Sequence, residues 1–389
     1  MKYNFDEVID RSGNRSAKYD EREKNFGRGD VIPLWIADMD FRSPQPVIDA
    51  LKARAEEGIW GYTSRPDSYF DTILGWQERR NGWKIDRSLV SWTLGVIMGL
   101  SACIRLFTPE NGNVLIQTPV YSDFFEITEG WNRTVIENKL VEKNGGWEID
   151  WADLEEKLKI ADMFVLCSPH NPLGIVWPQE TLAHIVRLCI KYNVKLFSDE
   201  IHSDLIFHGK KHTPTAICCP EAAEYVITGI SCTKTFNLAG LQSATIVFPN
   251  AHMKQVFDRF WQNMDIHRNN AFSLTAMETA CNEGEEWLEQ MLEYVSGNFD
   301  YVVDYCKTRI PKVKAYAPDA TYLMWLDFRE LGMTQEELAD FIVNKAGLGL
   351  SNGACFTCSL SGFMRLNAAC PRKTLEKAMQ QLEEAIKTL

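Results

Sequence analysis

The chain has 389 residues, of which 45% are hydrophobic and 11% aromatic, enough apolar material to bury one large core and a smaller one. Its formal net charge of −12 argues against a nucleic-acid partner, because such a surface needs a basic face to displace phosphate counterions. The first ten residues are polar and acidic and no window is apolar over the length of a bilayer, so a soluble cytoplasmic protein without membrane contact is expected.

Seven short apolar runs rich in β-branched residues predict strands, and most are separated by helical patterns or turn signals. This alternation predicts the doubly wound α/β class, with a mostly parallel seven-stranded sheet flanked by helices. One intervening segment, Gln179–Tyr192, has apolar residues at helical spacing, so one of its faces can cover the sheet. The predicted strands cover residues 90–94, 114–118, 134–136, 163–167, 194–198, 226–230 and 244–248.

A long amphipathic pattern over Glu285–Arg309, ended by Pro311, predicts a helix that leaves the sheet domain. A strand candidate at residues 321–327 and helical patterns at 334–345 and 373–389 follow it. Alternating elements of this kind suit a smaller α+β domain.

The eleven cysteines are scattered, often inside apolar runs, which fits reduced buried thiols better than a disulfide framework. Cys355-Phe356-Thr357-Cys358 is the one Cys-x-x-Cys in the sequence. No second pair or nearby histidine completes a tetrahedral site beside it, so no metal is expected.

A lysine in a run of hydroxyl residues, Ser231-Cys232-Thr233-Lys234-Thr235, directly follows the sixth predicted strand, and Asp199 ends the strand before it. A neutral lysine amine can form an imine with an aldehyde, and a carboxylate can keep a pyridine nitrogen protonated and electron-withdrawing. Alone, Lys234 would be interpreted as a solvated loop lysine and Asp199 as a turn former. Together, at two strand ends, they predict an enzyme that uses pyridoxal 5'-phosphate, with both residues catalytic and cofactor-binding.

The phosphate of such a cofactor would be held by hydroxyls and backbone amides near the same strand ends. Ser231 and Thr233 supply the hydroxyls. Gly95, Val96 and Ile97 follow the first predicted strand and open an apolar helix, where the glycine lets amides approach an anion and the helix dipole favours negative charge. A glycine that only makes a turn is the competing interpretation.

One further side chain suits the cofactor ring, and another suits an amino-acid substrate. Tyr121 follows the second predicted strand, and its flat ring can lie on the pyridine face and exclude water as a catalytic residue, although ordinary core packing would also explain it. Arg365 lies between apolar neighbours, and its planar guanidinium can bind an amino-acid carboxylate through two parallel hydrogen bonds. Arg372 and Arg105 suit structural pairing with acids instead.

A likeness to a known family is carried by four segments, PLWIADMDF at 33–41, SDEIHSDL at 198–205, TKTFNLAGL at 233–241 and FMRLNAACPR at 363–372. They resemble the MalY/PatB-type cystathionine β-lyases, a branch of the class I/II aminotransferase superfamily with fold type I of pyridoxal-phosphate enzymes. The likeness runs over nearly the whole chain. It implies a large cofactor-binding α/β domain at residues 50–289 and a small α+β domain made of residues 1–49 and 290–389.

The resemblance implies roles for three more residues. Asn171 corresponds to an asparagine that donates to the pyridoxal hydroxyl and reaches the substrate carboxylate, although Asn-Pro is also a common turn dipeptide. His202 stands where related aminotransferases carry a tyrosine facing the same hydroxyl, and a structural histidine is an equal alternative. Tyr62 corresponds to a tyrosine that reaches the phosphate of the neighbouring subunit, which implies a homodimer with shared active sites.

The function that the resemblance implies is carbon–sulfur β-elimination from cystathionine or a related cysteine S-conjugate, a small amino-acid thioether, to a thiol, pyruvate and ammonia. Elimination and transamination share every step up to the carbanion, so an aminotransferase is the first alternative. Some members of the family also bind transcription factors. A protein-binding modulator with secondary lyase activity and a regulatory protein partner is therefore the alternative of another class.

The chain departs from the family pattern near the expected pocket. Thr357 and Leu360 replace small residues, and their bulk is expected to narrow the mouth and favour a conjugate smaller than cystathionine. Trp35 and Phe41 could line the same mouth, but packing in the core is the expected role of each aromatic ring.

Overall fold

Strands and helices alternate along the chain in the computed structural model, which describes residues 3–143, 145–357 and 360–389. The strands are β1 (Ile32–Pro33), β2 (Val90–Thr93), β3 (Asn113–Thr118), β4 (Thr134–Lys139), β5 (Val141–Lys143), β6 (Gly146–Glu148), β7 (Met163–Cys167), β8 (Lys195–Asp199), β9 (Val226–Ile230), β10 (Ala244–Val247), β11 (Lys314–Ala315), β12 (Leu323–Asp327), β13 (Leu348–Gly349), β14 (Ser351–Asn352) and β15 (Phe363–Asn367). The α-helices are α1 (Ala17–Asp20), α2 (Arg22–Phe26), α3 (Gln45–Glu56), α4 (Asp67–Asn81), α5 (Val96–Phe107), α6 (Asp123–Gly130), α7 (Trp151–Leu158), α8 (Gln179–Tyr192), α9 (Ala251–Asn263), α10 (Ser273–Glu283), α11 (Glu285–Arg309), α12 (Gln335–Asp340) and α13 (Arg372–Ile386).

The central sheet has seven strands in the order β2-β10-β9-β8-β7-β3-β4. Only β10 runs against the others, since both of its pairings are antiparallel and the remaining ones are parallel. The strands β7, β8 and β9 are buried on both faces except at the first residue of β8, as expected for parallel strands covered by helices. The predicted seven-stranded α/β fold is confirmed.

Helices cover both faces of this sheet because their apolar residues recur at helical spacing. In α8, whose predicted bounds are confirmed, the residues Leu182, Ile185, Val186 and Cys189 are buried, and the helix ends at a left-handed Asn193. Helix α5 packs unusually close to the sheet. A Cβ added at Gly229 of β9 would lie 2.6 Å from Val96 Cγ1, so only glycine permits this approach.

A second, antiparallel sheet with the order β11-β12-β15-β14 lies in the last part of the chain. The predicted connecting helix is confirmed as α11, and Glu383 of α13 is held against it by Arg309 at 2.9 Å. The amino-terminal segment joins this region, because β1 pairs in parallel with β13.

The edge of the central sheet where its parallel strands end gathers the loops of interest. Asp199 is the last residue of β8, and Lys234 follows β9. Tyr121 and Asn171 lie on the loops after β3 and β7, and Gly95 lies between β2 and α5. Open parallel sheets bind ligands at this edge. In the part of the chain that the structure describes, no helix is long and apolar enough to cross a bilayer.

Candidate active site

A cavity of about 450 Å³ lies at this edge of the sheet and is closed on its other side by the segments around Ala37 and Arg365. Its polar lining consists of Asn25, Ser122, Asp123, Asn171, Asp199, His202, Lys234, Ser351, Asn352 and Arg365, and its apolar lining includes Trp35, Ile97, Tyr121, Cys167 and Phe356. The candidates that share this cavity are Ile97, Tyr121, Asn171, Asp199, His202, Lys234 and Arg365.

The amine of Lys234 is held at the wall of the cavity. Its Nζ donates to the Ala37 carbonyl oxygen at 2.6 Å, and the Tyr322 hydroxyl donates to the same oxygen at 2.8 Å. Burial lowers the pKa of Lys234 to about 8, although the Asp38 carboxylate opposes this shift. The amine is therefore ready to exchange a proton near neutral pH.

Asp199 lies at the end of β8 with 4% of its surface exposed. Its Oδ1 accepts a hydrogen bond from the Ile201 amide at 3.1 Å, and no cation contacts it among the described residues. Burial raises the pKa of Asp199 to about 7, against the effects of that amide and of Lys234. A buried carboxylate in this state suits a ligand with a protonated ring nitrogen, which would restore its charge.

Arg365 and Asn171 form the opposite side of the cavity. The Arg365 guanidinium donates from Nη1 to Asn171 Oδ1 at 3.1 Å, and from Nη2 to the Trp35 carbonyl at 2.9 Å and Ser351 Oγ at 3.1 Å. It lies 4.8 Å above the Phe356 ring, and its buried Nε has no acceptor. Burial lowers the pKa of Arg365 to about 10. This uncompensated cation suits a carboxylate ligand.

Tyr121 and His202 complete the lining near Asp199. Burial raises the pKa of Tyr121, and the neighbouring Asp123 carboxylate raises it further. Burial lowers the pKa of His202 to about 3, so its imidazole is neutral, and its buried Nδ1 has no hydrogen-bond partner. The ring packs edge-on against Tyr322, with centroids 6.3 Å apart.

Of the residues expected at a phosphate, Ile97 lines the cavity, whereas Gly95, Val96, Ser231, Thr233 and Tyr62 do not. Gly95 caps α5, and a Cβ added to it would meet no atom within 4 Å, so the space in front of the helix is open. Val96 is buried against the sheet. Ser231 Oγ donates to the Ser243 carbonyl at 2.7 Å and lies 2.9 Å from Thr233 Oγ1, so one of the two hydroxyls is already engaged within the chain.

Tyr62 lies apart from the cavity, on the surface, with 94% of its area exposed. The Arg268 guanidinium lies 5.6 Å from its ring centroid and donates to the Thr63 carbonyl at 3.2 Å. A single chain therefore does not bring Tyr62 to the other candidates.

The sequence interpretation missed the segment 35–39, which we call the strap. Its carbonyl oxygens accept from side chains of distant residues, namely Arg365 at Trp35, Asn367 at Ile36, Lys234 and Tyr322 at Ala37, Asn367 and Lys18 at Asp38, and Asn237 and Arg11 at Met39. The resemblance at 33–41 was the signal that could have found it, but the sequence interpretation considered only the aromatic rings of Trp35 and Phe41 there and gave the carbonyl groups no role. The expected core role of Trp35 is wrong because the ring lines the cavity, while Phe41 is buried as expected.

The two bulky departures do not line the cavity. Thr357 is buried, and Leu360 packs against an aromatic cluster of Trp325, Phe356 and Phe363, of which only Phe356 lines the cavity. Cys355 lines the cavity, and Cys358 lies outside the described residues. Among the residues that the structure covers, no group of three or more His, Cys, Asp or Glu side chains is arranged to hold a metal.

Comparison with known proteins gives the same picture of the chain. A model of the family described as aminotransferase class I and II matches residues 29–382. The cystathionine beta-lyase PatB of Bacillus subtilis (strain 168) is 38% identical over 385 residues, which cover 98% of this chain and 100% of the relative.

Two solved structures are also close to this one. A PLP-bound putative aminotransferase from Clostridium difficile 630 superposes with a TM-score of 0.97 at 44% identity, over 99% of this chain and 100% of the other. Cystalysin from Treponema denticola, whose structure contains a pyridoxal 5'-phosphate cofactor, gives a TM-score of 0.96 at 32% identity over 100% of both chains.

Proposed function

The chain belongs to the class I and II aminotransferase family, and we propose that it is a pyridoxal-phosphate-dependent carbon–sulfur β-lyase. Its substrate is L-cystathionine or a related cysteine S-conjugate, which it cleaves with water to a thiol, pyruvate and ammonia. The observation that carries this proposal is the buried cavity shared by Lys234, Asp199 and Arg365, in a chain 38% identical to a relative named cystathionine beta-lyase.

Pyridoxal 5'-phosphate fits the donor set of the cavity. When bound, it supplies an electron sink for negative charge at the substrate Cα. We assign its aldehyde to Lys234 and its ring nitrogen to Asp199, whose raised pKa marks a carboxylate without a cationic contact. Tyr121 covers a ring face, and Asn171 and the unpartnered His202 serve the ring hydroxyl.

The phosphate assignment rests on the open space in front of α5. Backbone amides at the start of that helix can satisfy an anion, and the helix dipole adds to the attraction. We assign the phosphate to Gly95, Val96, Ile97, Ser231, Thr233 and, from a second copy of the chain, Tyr62. The exposure of Tyr62 supports this last role, because a side chain that serves a neighbouring subunit must project from its own.

The side chains of the cavity divide the work of the elimination. Arg365 binds the substrate carboxylate, which fixes the Cα–H bond relative to Lys234. Lys234 removes the Cα proton and can return it, since its pKa is held to about 8. The carbon–sulfur bond then breaks, its electron pair leaves on sulfur, and the proton passes from Lys234 to that sulfur to give the thiol. Tyr121 and Phe356 keep bulk water from the reacting atoms.

The remaining assignments concern the whole protein. We propose a cytoplasmic homodimer, a large domain at residues 50–289, and a small domain formed by residues 1–49 and 290–389. The separate sheets of the two regions and the β1–β13 pairing support this division. A regulatory protein partner is a second hypothesis, and a Lys234→Ala variant that kept a regulatory phenotype would favour it.

The proposed activity is tested with purified holoprotein and L-cystathionine. Its visible spectrum should change on borohydride reduction, and the reduced adduct should map to the peptide that contains Lys234. Pyruvate and thiol should then form without any added keto acid. An aminotransferase, the alternative suggested by the name of the Clostridium difficile relative, would need a keto-acid acceptor to turn over, so acceptor-dependent activity would overturn the proposal.

A further inference from the structure

One carboxylate in the cavity has no task in the mechanism above. Asp123 is the first residue of α6 and lies two positions after Tyr121. Its side chain lines the same cavity as Lys234 and Arg365. Asp199 is the other carboxylate in the lining, and it is assigned to the cofactor ring.

Asp123 lacks a cationic partner in the part of the chain that the structure describes. No lysine, arginine or histidine nitrogen lies within 4.0 Å of its oxygens, and its hydrogen bonds come from two neutral hydroxyls, that of Tyr121 and, at 3.4 Å, that of the adjacent Ser122. The amino terminus of α6 favours a negative charge at this position. A carboxylate that faces a cavity without a cationic partner is available to a positively charged ligand.

The field of Asp123 reaches the rest of the cavity. Its carboxylate raises the pKa of Tyr121 and also acts on Lys234 and Arg365. In the proposed complex Arg365 binds the substrate carboxylate, Lys234 binds the cofactor and Asp199 faces the cofactor ring. Asp123 is then the one charged side chain of the described lining that has no counter-charge. A neutral or anionic sulfur substituent would leave it unpaired at a cost in binding.

We infer that Asp123 selects cysteine S-conjugates whose leaving thiol carries an ammonium group. L-Cystathionine meets this requirement, because its homocysteine half has a free amino group, and so does a 2-aminoethyl conjugate. This inference rests on the proposed β-lyase function and adds a specificity-determining residue to it. Simple alkyl and carboxyalkyl conjugates become the disfavoured class.

The test compares conjugates of nearly identical shape in the holoenzyme. S-(2-Aminoethyl)-L-cysteine and S-propyl-L-cysteine differ by an ammonium in place of a methyl group, and S-(2-carboxyethyl)-L-cysteine reverses the charge. We expect kcat/KM to be about tenfold higher for the aminoethyl than for the propyl conjugate, as for one partly buried ion pair. The carboxyethyl conjugate should be the poorest.

The charge is then removed with Asp123→Asn. The aminoethyl-to-propyl ratio of kcat/KM should fall about tenfold. When conjugate is mixed with holoenzyme, the conjugate concentration that gives half of the change in the cofactor's visible absorption should rise for the aminoethyl conjugate alone. The matched control is Glu129→Gln, which removes an exposed acid of the same helix outside the cavity and should keep the wild-type ratio.

The outcomes separate this inference from the function on which it rests. A wild-type ratio near one, or a ratio unchanged in Asp123→Asn, would refute the selection by Asp123 and leave the lyase intact. The wild-type comparison decides the matter even if the variant fails to fold. Absence of pyruvate and thiol with every conjugate would overturn the lyase proposal itself and, with it, the inference.

Discussion

Two clusters of charged groups meet at the strap, one partly buried and one lining the cavity, and they differ in how their charges are compensated. In the amino-terminal cluster, Arg11 and Lys18 face Asp38 and Asp40 at 2.6 to 3.5 Å, so that two cations and two carboxylates balance. The cavity lies on the other side of the strap. There Lys234 donates to the Ala37 carbonyl, which also accepts from the Tyr322 hydroxyl, and Asp199 accepts from a backbone amide. Among the described residues neither of the two forms an ion pair.

The pKa values follow this difference. Burial would raise the pKa of Asp38, but Arg11 and Lys18 outweigh burial and lower it below its usual value. In the cavity burial prevails, and it brings Lys234 down to about 8 and Asp199 up to about 7. A compensated cluster therefore holds the chain in place, whereas an uncompensated one is ready to bind charge and exchange protons.

The largest effect on activity is expected for Lys234→Ala, which removes the lysine of the uncompensated cluster. Loss of the only amine in the cavity should lower pyruvate formation by about a thousandfold or more, since it removes the cofactor attachment and the general base. The melting temperature of the cofactor-free variant should be no lower than that of the cofactor-free wild type, because a buried amine with a lowered pKa adds little to stability. Activity within tenfold of wild type, measured by pyruvate release, would contradict the assignment.

Asp199→Asn should separate function from stability. Activity should fall by about a hundredfold, because the charge facing the ring is lost. In cofactor-free protein the pKa of Asp199 is raised from 3.8 to about 7, so its ionisation works against folding. The stability that depends on the protonated form is present below pH 4 and lost as the pH rises through 7. Between pH 4 and 7 the free energy of unfolding of the variant should therefore rise relative to that of the wild type, by up to about 4 kcal/mol as measured by urea unfolding. A constant difference between pH 4 and 8 would refute the shift.

Lys18→Met should show the opposite behaviour in the compensated cluster. Lys18 is fully buried, and its removal leaves Asp40 with Arg11 as its one cation among the described residues, which should cost about 3 kcal/mol of stability at neutral pH. The lowered pKa of Asp38 means that its contribution is present above 3.8 and lost in acid, so the difference from wild type should shrink below pH 4. The control is Lys24→Met on the exposed face of α2, with no expected loss in the same denaturant titration.

The smallest effect is expected at the boundary between the clusters, in Tyr322→Phe. Removal of one of the two donors to the Ala37 carbonyl makes that oxygen a better acceptor for the Lys234 ammonium, so the pKa of Lys234 should rise above about 8. The pH at which Lys234 of the cofactor-free protein becomes half-reactive to acylation, followed by peptide mass spectrometry, should move to alkaline values. Turnover should drop only about fivefold, for a loss of about 1 kcal/mol. An unchanged labelling profile would show that Tyr322 does not position the amine.

Local patterns were enough to predict much of this molecule. The seven strands of the central sheet, α8 and α11 follow from the spacing of apolar residues, which depends only on neighbours along the chain. Asp199 and Lys234 lie at the carboxyl ends of two adjacent parallel strands, and this placement was enough to predict that they share one edge of the sheet.

The sequence by itself thus determined the sheet, its covering helices and the chemistry offered at its carboxyl edge. Only the tertiary structure decided which side chains meet there. Tyr322 and Asp123 carry no local signature, and the resemblance at the strap does not reveal its contacts, because a carbonyl that accepts from a lysine 197 residues away leaves no mark on its own sequence. The burial of Lys18 also depends on the tertiary structure, because a charged side chain is stable in the interior only where distant residues such as Asp40 supply its partners.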